Sequence, residues 1–343
     1  MTTPHRAAAD FDSDVTDTGG PAPTRAEPAS HPRRPITRWR QALIWILGLI
    51  WLLDAALQYQ PYMFTKDFPN DAIRPTGQGS PGWVASPVSW SADLMVHHIV
   101  FWNAVFATIQ LLIALGLFWR RTAKLALAGS FVWAVMIWWL GEGLGGVLAG
   151  PVSPVMGLPG AVIIYALIAV FVWPRDPSPW PSVAEASPAT VAGAKAVWLL
   201  LWASFVFESL RPANRAPGAL HDMVTGMAAG EPGWVKSINS WGGHVLAGRG
   251  LGFSIALAII FALAAVSVFL PTTARRVTLL LVVVVALAIW IVGEDFGQIA
   301  TGNATDPNSG PLLALLAFCF WPLAGPQRNN PTQPENAAAT TAS

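Results

Sequence analysis

The chain has 343 residues, 53% of them hydrophobic and only 11% charged, with a mean hydropathy of +0.48. That is more apolar surface than a soluble core of this length can hide, so the composition specifies a membrane protein whose first partner is the lipid bilayer. The net charge of +1 is uninformative as a sum. No nucleic-acid partner is expected, and the single cysteine, Cys319, excludes an internal disulfide or a Cys-x-x-Cys pair.

In chain order, residues 1–35 read as a disordered cytoplasmic tail without the apolar core of a signal peptide. Four apolar runs follow at 42–59, 97–119, 123–140 and 160–173, forming a first membrane repeat over 36–174. A long polar stretch, 61–91, separates the first two runs, and a tight basic turn, Arg120-Arg121-Thr122, separates the next two. After a Pro/Ser/Ala linker at 175–193, expected on the cytoplasmic side, the pattern restarts. Runs at 194–210, 245–270, 275–292 and 312–323 make a second repeat over 194–323, with its long loop at 211–243. Residues 324–343 are a second disordered cytoplasmic tail. The fold class expected is an all-α polytopic membrane protein with about eight transmembrane helices, arranged as two tandem four-helix repeats in parallel orientation.

Residue-level matches support the duplication. At a constant offset of 152, Gly141, Glu142, Gly145 and Pro159 are matched by Gly293, Glu294, Gly297 and Pro311. Pro81-Gly82-Trp83-Val84 with Trp90 recurs as Pro232-Gly233-Trp234-Val235 with Trp241. Basic residues such as Arg38, Arg40, Arg120, Arg121, Arg275 and Arg276 fall on one side, which the positive-inside rule assigns to the cytoplasm of a plasma membrane. Both termini then lie inside, and both tryptophan-bearing loops and glycine-carboxylate stretches lie outside.

Acidic residues inside or at the end of apolar runs are the candidate functional residues. Counting along the helices places Asp54 and Glu208 about 20 Å from the cytoplasmic end, and Glu142 and Glu294 near the outer boundary. His98 is level with Glu142 and Arg249 with Glu294, so two basic-acidic pairs are expected, Arg249 with Glu294 foremost; Asp295 joins this set. Glu142 and Glu294 are expected toward the C-terminal ends of their helices, where the dipole disfavours negative charge, so a cation, metal or hydration is needed. Plain pairing between helices and a wet functional cavity are equal readings of these acids. His97, His98, His221 and His244 share that side, but they lack His-x-x-x-His spacing, which favours hydrogen-bonded interfacial histidines over a metal site. Trp83, Trp90, Trp234 and Trp241 read as an aromatic belt, or as a lid folded over the carboxylates. The glycines at 141/145 and 293/297 have small-xxx-small spacing for close helix approach.

The run from Gln110 through Leu115-Gly116-Leu117 to Arg120 and Leu127, with Arg40, Gly48 and Gln58 on the first span, is similar to the DoxX/DoxD-like family of four-helix membrane proteins. Gln110 stands where that family usually has Glu, and Asp54 where it has Gly. The resemblance implies a redox-partner role linked to quinone, as an accessory to a membrane or peripheral oxidoreductase. No phosphate loop, dinucleotide fingerprint or catalytic triad is visible, which lowers the expectation of an enzyme. Three functions stay open: an outward-facing polar cavity, lined by Asp54, Glu142, Glu208, Glu294 and Arg249, that binds or conducts a small solute or ion; a quinone-contacting accessory subunit; and a structural or assembly component.

Overall fold

The computed structural model describes residues 35–150, 152–175 and 181–323, which form helices and turns without a strand among them. The first half of the chain contains α1 (Pro35–Leu57), α2 (Gly82–His97), α3 (Ile99–Phe118), α4 (Ala123–Leu140) and α5 (Ala161–Phe171). The second contains α6 (Thr190–Ser209), a single turn α7 (Pro212–Arg215), α8 (Ala219–Met227), α9 (Gly233–Leu246), α10 (Gly250–Val266), α11 (Thr272–Val292) and α12 (Ser309–Cys319). The tails expected at 1–35 and 324–343 lie outside the described residues, apart from Pro35, which begins α1.

Six helices, α1, α3, α4, α6, α10 and α11, are long and apolar enough to cross a membrane. Their outer faces expose Leu49, Leu112, Leu125, Val132, Leu200 and Val284. Surface of that kind, unfavourable in water at about 25 cal/mol per Å², matches a hydrocarbon environment. The remaining two expected spans are different in kind. Helices α5 and α12 have 11 residues each, roughly 16 Å at helical rise, and nearly all their residues are buried. They pack on each other and on α1, α4 and α11 at the centre of the bundle. Their short backbones end inside protein rather than in lipid, the condition under which a helix can stop at membrane depth. Around them α1 pairs with α3, α4 with α5, α6 with α10, and α11 with α12.

The stretches expected as irregular surface loops are largely helical. In α2 the residues Val84, Val88, Ala92 and Met95 recur at helical spacing and face inward, while Trp83 and Trp90, seven residues apart, face out. In α9, Val235, Asn239 and Gly242 face inward, with Trp234 and Trp241 outside. Met63, Phe68, Ile73, Val88, Ala92, Met95 and Ile99 form a small second core beneath α2. The Pro/Ser/Ala linker is also folded in: Ser182–Ser187 are buried, while 176–180 lie outside the described residues. Its Glu185 meets the Arg275 guanidinium through two bonds at 3.3 and 3.2 Å, and Arg275 also donates to the Phe320 carbonyl at 2.7 Å. That carbonyl belongs to the α12 C-terminus, where the Cys319 and Phe318 carbonyls accept from Ala184 N at 2.9 Å and Trp39 Nε1 at 3.0 Å, so the helix end is capped by side chains and backbone from other elements.

At the opposite end, each half reaches into the other. Gln60, after α1, donates to the Ala304 carbonyl at 3.2 Å, and Arg211, after α6, donates to the Gly150 carbonyl at 3.3 Å. The segment following α4 therefore lies against α6, and the segment following α11 lies against α1.

Candidate functional site

A cavity of about 170 Å³ opens among α1, α3, α4 and α5, adjoining a second, more open one of about 420 Å³. Ala72, Thr76, Glu142, Thr305 and Asp306 line both. Asp54 stands on the inner wall, one turn before α1 ends, and is 2% exposed. The Tyr165 hydroxyl, from α5, donates to its Oδ2 at 2.6 Å, and the Tyr165 ring is held by Trp51 at 4.4 Å between centroids. Trp51 is itself fixed by donating to Ser130 Oγ at 2.9 Å.

Glu142 enters from the turn after α4. That turn needs left-handed backbone at Leu144 and Gly145, and a Cβ on Gly145 would meet the Pro159 carbonyl oxygen at 1.9 Å. Gly145 thus serves close backbone approach to the chain leading into α5, and Gly143 approach to the Thr76 carbonyl, rather than helix-on-helix packing. Glu142 is thereby brought against the N-terminus of α5, whose Val162 N–H favours its ionised form. Burial nevertheless raises the Glu142 carboxyl well above its ordinary value, and the nearby Asp306 carboxylate adds to the rise. Asp306 arrives on the crossing segment before α12. Thr305 Oγ1 donates to it at 2.8 Å and Asn308 N at 2.7 Å, yet desolvation still holds its carboxyl above the usual range.

Three carboxyl groups thus border one space. Among the described residues the ion pairs are Arg74–Asp93, Lys195–Glu185, Arg211–Glu208 and Arg275–Glu185, so none of the three has a cationic partner. The buried side-chain atoms on the cavity wall that lack a hydrogen-bond partner are Asp54 Oδ1, Gln58 Oε1, Gln110 Oε1, Glu142 Oε2 and Trp133 Nε1. Four are acceptors and one is a donor. Phe106, Trp51, Trp133 and Tyr165 supply aromatic surface between them. The wall therefore favours a guest that brings positive charge and N–H or C–H donors.

Of the expected site residues, the structure brings together Asp54 and Glu142 and separates the rest. Glu208 is buried, with Arg211 at 3.1 Å and the Val152 N–H at 3.2 Å. Glu294 is fully buried, but its partner is not Arg249: its carboxylate accepts from Ser309 Oγ and from Gly310 N at 3.0 Å. The positive end of α12 supplies what a cation was expected to supply. Arg249 sits exposed before α10, and its guanidinium reaches back to the Val245 carbonyl at 3.3 Å. His98 is likewise exposed, at the break between α2 and α3, and makes no pair with Glu142. Asp295 is buried and accepts from Asn239 Nδ2. His97, His221 and His244 bond to the backbone carbonyls of Asp93, Gly243 and Ser240.

Trp83, Trp90, Trp234 and Trp241 are all more than half exposed and cover no carboxylate. The cover over the cavity is the preceding segment, through Phe68, Ala72, Ile73 and Thr76, latched by the Thr76 hydroxyl on the Gly141 carbonyl at 2.9 Å. Sequence reasoning missed Tyr165, Asp306, Gln110 and Trp133 as site residues. Tyr165 carried a signal, as one of three tyrosines in the chain and the one within the run at 160–173. Asp306 carried none, since the residue matching it at the 152 offset is Pro154.

No protein-family model matches the chain, and neither curated proteins nor solved structures give a match.

Proposed function

We propose that the chain is a multi-pass plasma-membrane protein that binds a small organic cation, an ammonium or guanidinium compound, in an outward-facing acidic cavity. The observation that carries this is the meeting of Asp54, Glu142 and Asp306 on one cavity wall with no cation among the described residues paired to them. Aromatic rings and unpartnered acceptors beside carboxylates are the combination that holds such cations, at about 0.5 to 2 kcal/mol per ring contact when desolvated.

A comparison between the two halves supports the same reading. If the chain is a tandem duplication, Gln60-Pro61 corresponds to Arg211-Pro212 at an offset of 151. Both side chains reach the other half's crossing segment, but Arg211 also neutralises Glu208. In the second half the chain supplies a cation for its buried acid Glu208; in the first, among the described residues, Asp54 has none. The cavity lies at the end opposite Arg275 and Arg276, so the positive-inside rule turns it outward.

A quinone headgroup fits the cavity less well, because its carbonyl oxygens accept and Trp133 Nε1 is the one buried donor on the wall without a partner. A purely structural role predicts that losing the acids costs stability.

Titration of n-butylammonium into protein held in lipid nanodiscs tests the proposal. Saturable binding is expected, weakened at least tenfold by Asp54→Asn and by Glu142→Gln while thermal stability is kept. Binding indifferent to both substitutions, or substitutions that unfold the protein without any binding to lose, would overturn it.

A further inference from the structure

A second cavity, of about 300 Å³, lies beside the acidic one, between α2, α3 and α4. Leu94, Met95, Trp102, Ile109, Met136 and Leu140 make its wall almost wholly apolar. Its one hydroxyl, Ser91 Oγ, is turned away to the Leu140 carbonyl at 2.6 Å. Trp90, exposed on the outward stripe of α2, is among the residues that line it.

The two cavities share a wall that is one side chain thick. Ile73, Phe106, Trp133, Ile137 and Gly141 line both. Phe106 and Trp133 meet edge to face across it, with centroids 5.3 Å apart. One side of the partition presents carboxylates and unpartnered acceptors, and the other presents hydrocarbon. Gly141 adds no side chain to it. The two spaces are separate with the rings in this arrangement, and a ligand that occupies both must displace Phe106 or Trp133.

Resting on the cation-binding proposal above, we infer that the ligand is amphiphilic: an ammonium head in the acidic cavity and an unbranched hydrocarbon tail in the apolar one. The two spaces together are acidic at one end and apolar at the other, which matches a long-chain alkylamine in charge and in polarity. A phosphate-bearing lipid would set its own negative charge against Asp54 and Glu142. A short hydrophilic amine would leave the larger apolar space unused.

The test compares n-butylammonium with n-dodecylammonium, and n-dodecanol with both, in nanodiscs of zwitterionic lipid. Tail burial contributes about fourfold in affinity per methylene, from ~0.8 kcal/mol each, but partition into the bilayer contributes the same way. The decisive comparison is therefore between the native protein and one whose groove is filled, Met136→Trp, with Ile109→Trp as the second variant should the first fail to fold. Dodecylammonium binding weakened tenfold or more by filling, with butylammonium binding unchanged, is the expected result. Equal response of the two amines to filling would overturn the tail inference and leave the cation reading standing. Dodecanol binding as tightly as dodecylammonium would also overturn it. Absence of binding by either amine to the native protein would instead sink the cation reading itself.

Discussion

Removing the hydroxyl of Tyr165 isolates the one hydrogen bond that fixes Asp54. In Tyr165→Phe the ring keeps its place, because it is buried and stacked on Trp51 at 4.4 Å, so the change deletes a 2.6 Å donor and little else. A hydrogen bond to a charged group contributes about 1.5 to 3 kcal/mol. The adjoining cavity, of about 170 Å³, is well above the ~10 to 15 Å³ that one water needs, and water takes over part of the loss. The low end, ~1.5 kcal/mol, therefore applies, which at about 2 to 4 °C per kcal/mol lowers Tm by roughly 3 to 6 °C. Asp54 is then free to turn, and affinity for n-butylammonium falls ~10-fold, equivalent to ~1.4 kcal/mol. Thermal unfolding followed by intrinsic fluorescence and calorimetric titration, both in nanodiscs, read the two effects. Combining the substitution with Asp54→Asn closes a double-mutant cycle, whose coupling should be at least ~1 kcal/mol because the groups touch. Unchanged Tm together with unchanged affinity, or a cycle without coupling, would refute the role given to this bond.

The remaining predictions concern charge and backbone. Arg275→Met leaves Glu185 buried with Lys195 at 3.5 Å as its remaining cation among the described residues, so a loss of ~3 kcal/mol is expected, and the double variant Arg275→Met/Glu185→Leu should recover part of it, the Phe320 carbonyl still lacking its Arg275 donors. Unfolding midpoints that are equally low for the single and double variants would contradict this. Gly160 has φ +97°, and a Cβ there would lie 2.3 Å from Glu142 Oε2. Gly160→Ala should therefore displace Glu142 and cost ~1 to 3 kcal/mol, abolishing n-butylammonium binding; intact binding in that variant would be inconsistent with Glu142 as a site residue. Burial raises the carboxyls of Glu142 and Asp306, so the folded protein holds these protons more tightly than the unfolded chain does. Their contribution to stability is complete below the ordinary carboxyl values and is lost as pH rises through the raised ones. Cation binding has the opposite slope: n-butylammonium should bind more tightly at about pH 8 than at about pH 5, with protons released to buffer, and a flat profile would count against these two acids.

Much of this molecule is legible in local pattern. Apolar run lengths define the six long helices, since spanning a bilayer depends on composition and length alone. The cost of a carboxyl in hydrocarbon picks out Asp54, Glu142, Glu208 and Glu294 alike before any packing is known, and does not say which of them share a cavity. Counting residues gives depth along a helix, but not the direction in which a side chain points around it. That is why Arg249, level with Glu294 by count, lies exposed while Glu294 is met by the N-terminus of α12.

Long-range contacts decided the rest. Asp306 lies 252 positions from Asp54 in sequence and reaches the same cavity because the two halves exchange the segments that follow α4 and α11. Periodicity carries no information about such an exchange, because it is set by the shape of both halves together. The runs at 160–173 and 312–323 look like short spans by hydropathy. Only packing distinguishes a helix facing lipid from one enclosed by its neighbours, since both bury apolar side chains and differ in what surrounds them.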